Sequence, residues 1–192
     1  MRVLLVGEGP SELGGALEAF VKRLGLTANE FTPEPANRAD LHALHGKGRG
    51  FFKRALRWMQ WAEREGYDVL VLVIDEDGDP VRLKEIAEAQ EHVKLFSIRR
   101  ALGVAIRTFD AWMLADEVAL SKVLGCNVPR QKTPEKHKDP KSVCGELQEM
   151  SDQLLSQTEM YAAIAGAVDL TILQERCSKG FAPFAQRVQA LC

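Results

Sequence analysis

Between Asp68 and Pro80 the chain reads DVLVLVIDEDGDP, six aliphatic residues in succession that stop at an acidic cluster, Asp75, Asp77 and Asp79. A strand with one wet face alternates apolar and polar side chains; a strand without alternation is covered on both faces, as in a central parallel strand flanked by helices. This stretch therefore points to an α/β architecture with a parallel sheet, and it places a dense set of carboxylates at the carboxyl end of a central strand. The three aspartates are spaced by two, so continued strand geometry would point them to one side. Carboxylates packed this closely repel one another, and water, a proton, a basic partner or a hard divalent cation relieves the repulsion. A site for Mg2+ (or Mn2+) is the expectation here.

Two other segments run from strand into acid into helix. Arg2–Gly7, RVLLVG, reads as a short buried strand; Glu8 follows it in the turn Glu8-Gly9-Pro10-Ser11-Glu12, and Ser11 is placed to cap a helix from about Glu12 to Leu24. The glycines of GEG invite comparison with a dinucleotide fingerprint, but the third glycine is missing and Glu8 would face a pyrophosphate that needs positive potential. Later, VKLFSI (Val93–Ile98) and GVAIRTF (Gly103–Phe109) read as two strands, the second followed by Asp110 and a helix over AWMLADEVALSKVLG. In parallel sheets ligand sites form beyond the carboxyl ends of the strands, so Glu8, the Asp75 cluster and Asp110 are expected to meet at one edge.

At 192 residues, 46% hydrophobic and 27% charged, the chain can bury a substantial core, which excludes disordered and fibrous classes. A net charge of −2 offers no global attraction to a polyanion, so nucleic acid would be held by a local basic patch or through metal ions. Such a patch runs from Lys47 through Arg64, with six basic residues against one acidic residue, Glu63. Its glycine-rich start, GKGRG, is either a plain turn or a backbone that approaches phosphate beside Lys47 and Arg49. Its continuation, FFKRALRWMQWAERE, is a helix that buries Phe51, Ala55, Trp58, Met59 and Ala62 and carries Lys53 and Arg57 on another face, near Trp61. His42 and His45 lack the intervening Glu or the cysteine partners of a zinc motif, which leaves them as surface or hydrogen-bonded residues.

Thr27–Asp40, with Pro33 and Pro35, reads as an extended connection, and Leu41–Gly50 as a short strand that breaks into a loop. Pro80 opens a helix to about Glu91. Cys126–Lys141, rich in Pro and Lys, is a loop, and Ser142–Cys192 reads as successive short helices with no candidate chemistry. The expected division is an α/β core over residues 1–125 and a basic loop with a helical appendage over 126–192. The four widely spaced cysteines form no CxxC pair; with no signal sequence and no apolar stretch long enough to span a bilayer, they point to a reducing cytoplasm and no membrane partner.

The strand ending in VGEGPSE and the strand ending in IDEDGD resemble the Toprim domain of topoisomerases, primases and overcoming-lysogenization-defect nucleases. The segments Gly46–Gly48, RTFDAWMLAD (Arg107–Asp116), YAAIAGAVDLTILQERC and FAPF extend that resemblance over nearly the whole chain, to a bacterial family of small stand-alone Toprim-like proteins of unknown function, often encoded beside an ATPase. The resemblance implies a Toprim-like Rossmannoid sheet flanked by helices. It also implies Glu8 as metal ligand or acid/base group, Asp75 and Asp77 as Mg2+ ligands with Asp79 beside them, and Asp110 standing where the family commonly has Glu. Two ions about 4 Å apart can activate water and stabilise the leaving oxygen of a phosphodiester. The implied function is a Mg2+-dependent nuclease acting on nucleic acid, DNA first, within a defence or repair system with an ATPase partner; Lys47, Arg49, Lys53 and Arg57 would hold the phosphates. The alternative is a non-catalytic Toprim-like module that binds metal or nucleic acid and regulates the ATPase. A haloacid-dehalogenase phosphatase fits less well, because that family places its DxD after the first strand.

Overall fold

Side chains alternate across a strand, and here both sets are apolar. Val3, Leu5, Val69, Val71, Val73, Ala101 and Ala105 enter one hydrophobic cluster, while Leu4, Val6, Leu70, Leu72, Ile74, Leu102 and Val104 enter another. The sheet between them is parallel and four-stranded. A computed structural model describes residues 1–38, 41, 50–92 and 96–192. In chain order its elements are β1 (Arg2–Gly7), a widened π-type turn (Glu12–Ala16) running into α1 (Leu17–Arg23), β2 (Glu30–Pro35), α2 (Gly50–Arg64), β3 (Val69–Asp75), α3 (Val81–Gln90), β4 (Arg99–Ala105), α4 (Asp110–Met113), α5 (Glu117–Leu124), α6 (Pro140–Glu149), α7 (Gln157–Ala167), α8 (Leu170–Arg176) and α9 (Phe181–Gln189). The strand order is β2-β1-β3-β4, with Val3 opposite Val69 and Asp75 opposite Ala105. This is the α/β, Rossmann-like arrangement expected from the apolar run at Val69.

Helices α2 and α3 cover one face through Trp58, Met59, Ala62, Ile86 and Ala89. The other face carries α1 together with the C-terminal helices, whose Tyr161, Ile164, Phe181, Phe184 and Val188 join Phe20 and Trp112 in one cluster. The Trp112 ring packs against Phe20, Phe109, Phe181 and Phe184, so residues beyond 126 share the core of the sheet. The chain leaves β1 toward β2 under α1 and leaves β3 toward β4 under α3, on the opposite face. The crevice at the carboxyl ends of β1 and β3 is therefore the topological switch point of the sheet, where doubly wound folds bind ligands.

Several local expectations are corrected. The extended connection over 27–40 contains strand β2, concealed by its prolines. Ala36 donates its N–H to Gly7, so the N–H groups of alternate residues face β1 and the positions of Pro33 and Pro35 face outward, where a missing donor is harmless and the sheet edge is blunted. Among the described residues the strands predicted at 93–98 and 103–109 are represented by one, β4. Val93–Leu95 lie outside the described residues, and the amides of Ser97 and Ile98 go to the Glu63 carboxylate instead of a ladder. Arg99 and Arg100 obscure the strand's true start; the Arg100 guanidinium donates to the carbonyls of Gln90 and His92 at 3.0 and 2.8 Å. The single helix expected after Asp110 is two, because Asp116 leaves helical geometry and caps α5. Its Oδ1 accepts from Val118 and Ala119 at 2.9 and 3.2 Å, and its Oδ2 accepts from the Asp169 amide at 2.9 Å. Asp116→Ala is accordingly expected to destabilise the protein by about 1–2 kcal/mol, read as a lower midpoint in urea with unchanged slope.

Ser11 does not cap the first helix: its backbone is already helical and its hydroxyl donates to Gln157 Oε1 at 3.3 Å. The turn beneath it widens at Gly14 and Gly15, which leave helical geometry, Gly15 at φ 120°. A Cβ on Gly14 would lie 2.0 Å from Thr158 Cγ2, so only glycine lets α7 come this close. That approach carries Gln157 and Tyr161 to the β1 turn.

Candidate active site

The switch-point crevice is a cleft of about 360 Å³ lined by Glu8, Gly9, Pro10, Ser11, Glu12, Asp75, Asp77, Thr108, Phe109, Asp110, Lys141, Gln157 and Tyr161. Five of these are acids. Glu8 stands one residue past β1, Asp75 ends β3, Asp77 is in the β3–α3 turn, Asp110 opens α4 beyond β4, and Glu12 lies in the widened turn. The three strand-end acids named from sequence thus line one cleft.

Four of the five carboxylates are oriented by a neighbour. Asp75 Oδ1 accepts from the Phe109 amide at 2.7 Å, tying β3 to the turn that bears Asp110. Glu12 Oε2 accepts from the Glu8 amide at 2.8 Å. Asp110 Oδ1 accepts from the Tyr161 hydroxyl. Asp77 pairs through Oδ2 with Arg82 at 2.7 Å, and the same Arg82 Nη1 donates to the Asp75 carbonyl at 2.8 Å. The strand does not continue past Asp75. Asp77 takes a left-handed backbone at φ 50°, fixed by its amide donating to the Arg107 carbonyl at 2.9 Å, so the DED spacing is a turn and not a common strand face. Asp79 does not line the cleft; its Oδ1 accepts from the Val81 amide at 3.1 Å and caps α3.

Burial and mutual repulsion leave this cluster electrostatically strained. Burial, then the negative charge of Asp75, pushes Glu12 up to about 8. Burial raises Asp75 to about 7 against the opposing hydrogen bond from Phe109, with Glu8, Asp77 and Asp110 adding repulsion. Glu8 is raised too, chiefly by burial, with Arg82 and Arg54 pulling the other way. At neutral pH the cluster retains protons that isolated carboxyls would have lost.

These donors are all carboxylate oxygens, the ligand type that suits Mg2+ and Mn2+. Among the described residues no three His, Cys, Asp or Glu side chains close on one point. Mg2+ retains several waters and needs only one or two carboxylates directly, so the donor set fits such an ion with water completing its shell.

The basic side of the site differs from the sequence reading. Lys47 and Arg49, with His42 and His45, lie outside the described residues. Lys53 is exposed on α2, and Arg57 donates to the Leu41 carbonyl at 3.4 Å. The cations whose fields reach Glu8 are Arg54 and Arg82, whose guanidiniums lie 4.9 and 4.5 Å from the Phe51 ring centroid; Lys141 is on the cleft itself. Trp61, expected beside the basic face, is buried. Glu12 was visible in GEGPSE as an acid one helical turn after Glu8. Tyr161 and Gln157 had no local signal; they bring the C-terminal helices, read from sequence as without candidate chemistry, to the wall of the cleft.

No protein-family model, curated protein or solved structure matches this chain. Among the described residues no helix is long and apolar enough to cross a membrane.

Proposed function

We propose that this chain is a Mg2+- or Mn2+-dependent nuclease of the Toprim type, hydrolysing phosphodiester bonds in nucleic acid, DNA first, and working in a defence or repair system with an ATPase partner. The observation that carries this reading is the convergence of Glu8, Asp75, Asp77 and Asp110 on one cleft at the switch point of a parallel sheet, in a state of mutual repulsion that a divalent cation relieves. Asp75 with Asp77 or Asp110 would hold the ion directly and the remaining acids would reach it through water, and the ion would supply positive charge to the scissile phosphate and lower the pKa of a bound water. The chain's own groups do the rest. Glu8, raised by burial above the ordinary carboxyl range, would take a proton from the attacking water. The Phe109 amide keeps the Asp75 carboxylate aimed at the cleft, Lys141 neutralises charge at its rim, and Arg54 and Arg82 extend a positive field behind Glu8.

Supercoiled plasmid incubated with the protein and Mg2+ or Mn2+ is expected to be nicked, and Glu8→Gln is expected to abolish the nicking. Equal nicking by parent and Glu8→Gln would refute the site. One observation favours the non-catalytic alternative: Asp77 is already engaged by Arg82. On that reading calorimetry detects no Mn2+ binding that Asp77→Asn removes, and the plasmid stays intact at every metal concentration.

A further inference from the structure

Three hydrogen bonds link two acid-bearing turns across the cleft through α7. Ser11 Oγ lies 3.3 Å from Gln157 Oε1, Gln157 Nε2 lies 3.2 Å from Tyr161 Oη, and the Tyr161 hydroxyl meets Asp110 Oδ1. All four residues line the cleft. The direction of the chain is fixed by what each group can do. A carboxylate only accepts, so the phenol gives its one proton to Asp110. Its oxygen must then accept, and of the two ends of the Gln157 amide only the nitrogen can donate to it. That leaves the amide oxygen of Gln157 to accept from the Ser11 hydroxyl. Turning the Gln157 amide over would set its oxygen against the phenol oxygen, two acceptors facing each other.

Tyr161 is itself held firmly. Its side chain is buried in the core, burial pushes its hydroxyl far above the usual phenol range, and Cys144 beside it donates to the Asp110 carbonyl at 3.6 Å. The backbone and one carboxylate oxygen of Asp110 are thus both fixed by residues from the C-terminal helices. Asp110 also lies on a helix of only four residues, too short to orient a side chain unaided.

We propose that Tyr161 is a positioning residue of the nuclease site, which, with Gln157 and Ser11 behind it, holds Asp110 Oδ1 so that Oδ2 serves the reaction. This inference rests on the nuclease reading above. It makes the C-terminal helices part of the site: without Tyr161 the Asp110 carboxylate rotates, and the ion or water it serves is held less often in a reactive position.

The test is plasmid cleavage in Mn2+ by the full chain, comparing parent, Tyr161→Phe, Asp110→Asn and the double variant. Loss of an outer hydrogen-bond partner of a ligand typically costs 10- to 100-fold. Tyr161→Phe keeps the ring in the core, and about a tenfold fall in kcat is expected, with the KM for plasmid and the thermal midpoint unchanged. The double variant is expected to be no slower than Asp110→Asn alone, because Tyr161 acts through Asp110. If Tyr161→Phe lowers the melting midpoint, Gln157→Leu decides, with a smaller loss in the same direction. A parent that cuts while both variants cut equally well, or losses that multiply in the double variant, overturns this inference alone. A parent that does not cut overturns the nuclease reading and this inference together.

Discussion

Asp75→Asn is expected to lose at least about 100-fold in plasmid cleavage with Mg2+, and to melt at a higher temperature than the parent at pH 8 in a chelator. Both effects come from one carboxylate. Removing an outer-shell partner already costs 10- to 100-fold, so a group placed to touch the ion should cost no less than the upper end of that range. Asn retains an oxygen to accept the Phe109 amide, so the link from β3 to the β4–α4 turn survives and the fold is not at issue. What the substitution removes is a half-buried charge facing Glu8, Asp77 and Asp110, whose presence without a cation only opposes folding. Each 1 kcal/mol gained moves the midpoint of a domain this size by about 2–4 °C. Opposite signs for activity and stability identify a group kept for chemistry at a cost to the fold. A loss of activity accompanied by a lower midpoint at pH 8 would show that Asp75 is a structural residue.

How much of this site was legible in the sequence depended on how local each cause was. The unbroken apolar run before Asp75 and the short one before Glu8 dictated buried parallel strands, and a parallel sheet brings the ends of its central strands together; that reasoning needs no tertiary detail. It went astray where a local rule met a tertiary contact. Pro33 and Pro35 argued against a strand, yet at a sheet edge their missing donors face outward. Arg100 argued against a buried strand start, yet two carbonyls at the end of α3 and just beyond it satisfy its guanidinium. Asp77 and Asp79 were set on one strand face, whereas the amide of Asp77 is captured by Arg107 and the chain turns there.

The basic face shows the same limit at finer scale. A helix turns by about 100° per residue, so moving one position from Lys53 to Arg54 changes which face the cation occupies. The burial of Trp61 and the docking of Glu85 on the amides of Phe51 and Phe52 set that phase, and both are contacts with other parts of the chain. Tyr161 was beyond any local reasoning. It sits 51 residues from Asp110 and reaches it because Gly14 and Gly15 let α7 pack against the first turn, a consequence visible only once both are placed.

The strain in the cluster leads to a prediction about the whole molecule. Without divalent cation, the protein is expected to lose stability steadily from pH 5 up to pH 8; added Mg2+ should remove most of that loss. The sign follows from proton binding. Asp75 moves from its ordinary 3.8 to about 7 on folding and Glu12 from 4.5 to about 8, while burial also raises Glu8 and Glu135. Between those limits the folded state binds more protons than the unfolded state, so stability falls as pH rises; it is fully present below the unfolded values and is lost through the folded ones. Glu117, lowered by its hydrogen bond from Arg176, and Glu159, lowered by Ser156, work in the other sense but at pH below their ordinary carboxyl range, so they do not offset the fall between pH 5 and 8. A tenfold gain in proton affinity on folding is worth about 1.4 kcal/mol, so about 5 kcal/mol is the upper limit for Asp75 or Glu12 alone, and their shared repulsion means the two do not add. A divalent cation replaces the protons: it binds the ionised cluster of the folded state, and its stabilisation grows with pH over the same interval in which the metal-free protein weakens. Thermal melts at pH 5, 6.5 and 8, each in chelator and in millimolar Mg2+, read both slopes. A midpoint in chelator that rises with pH, or curves that Mg2+ leaves unchanged, would mean that the five acids of the cleft do not act as one electrostatic unit and that no cation belongs among them.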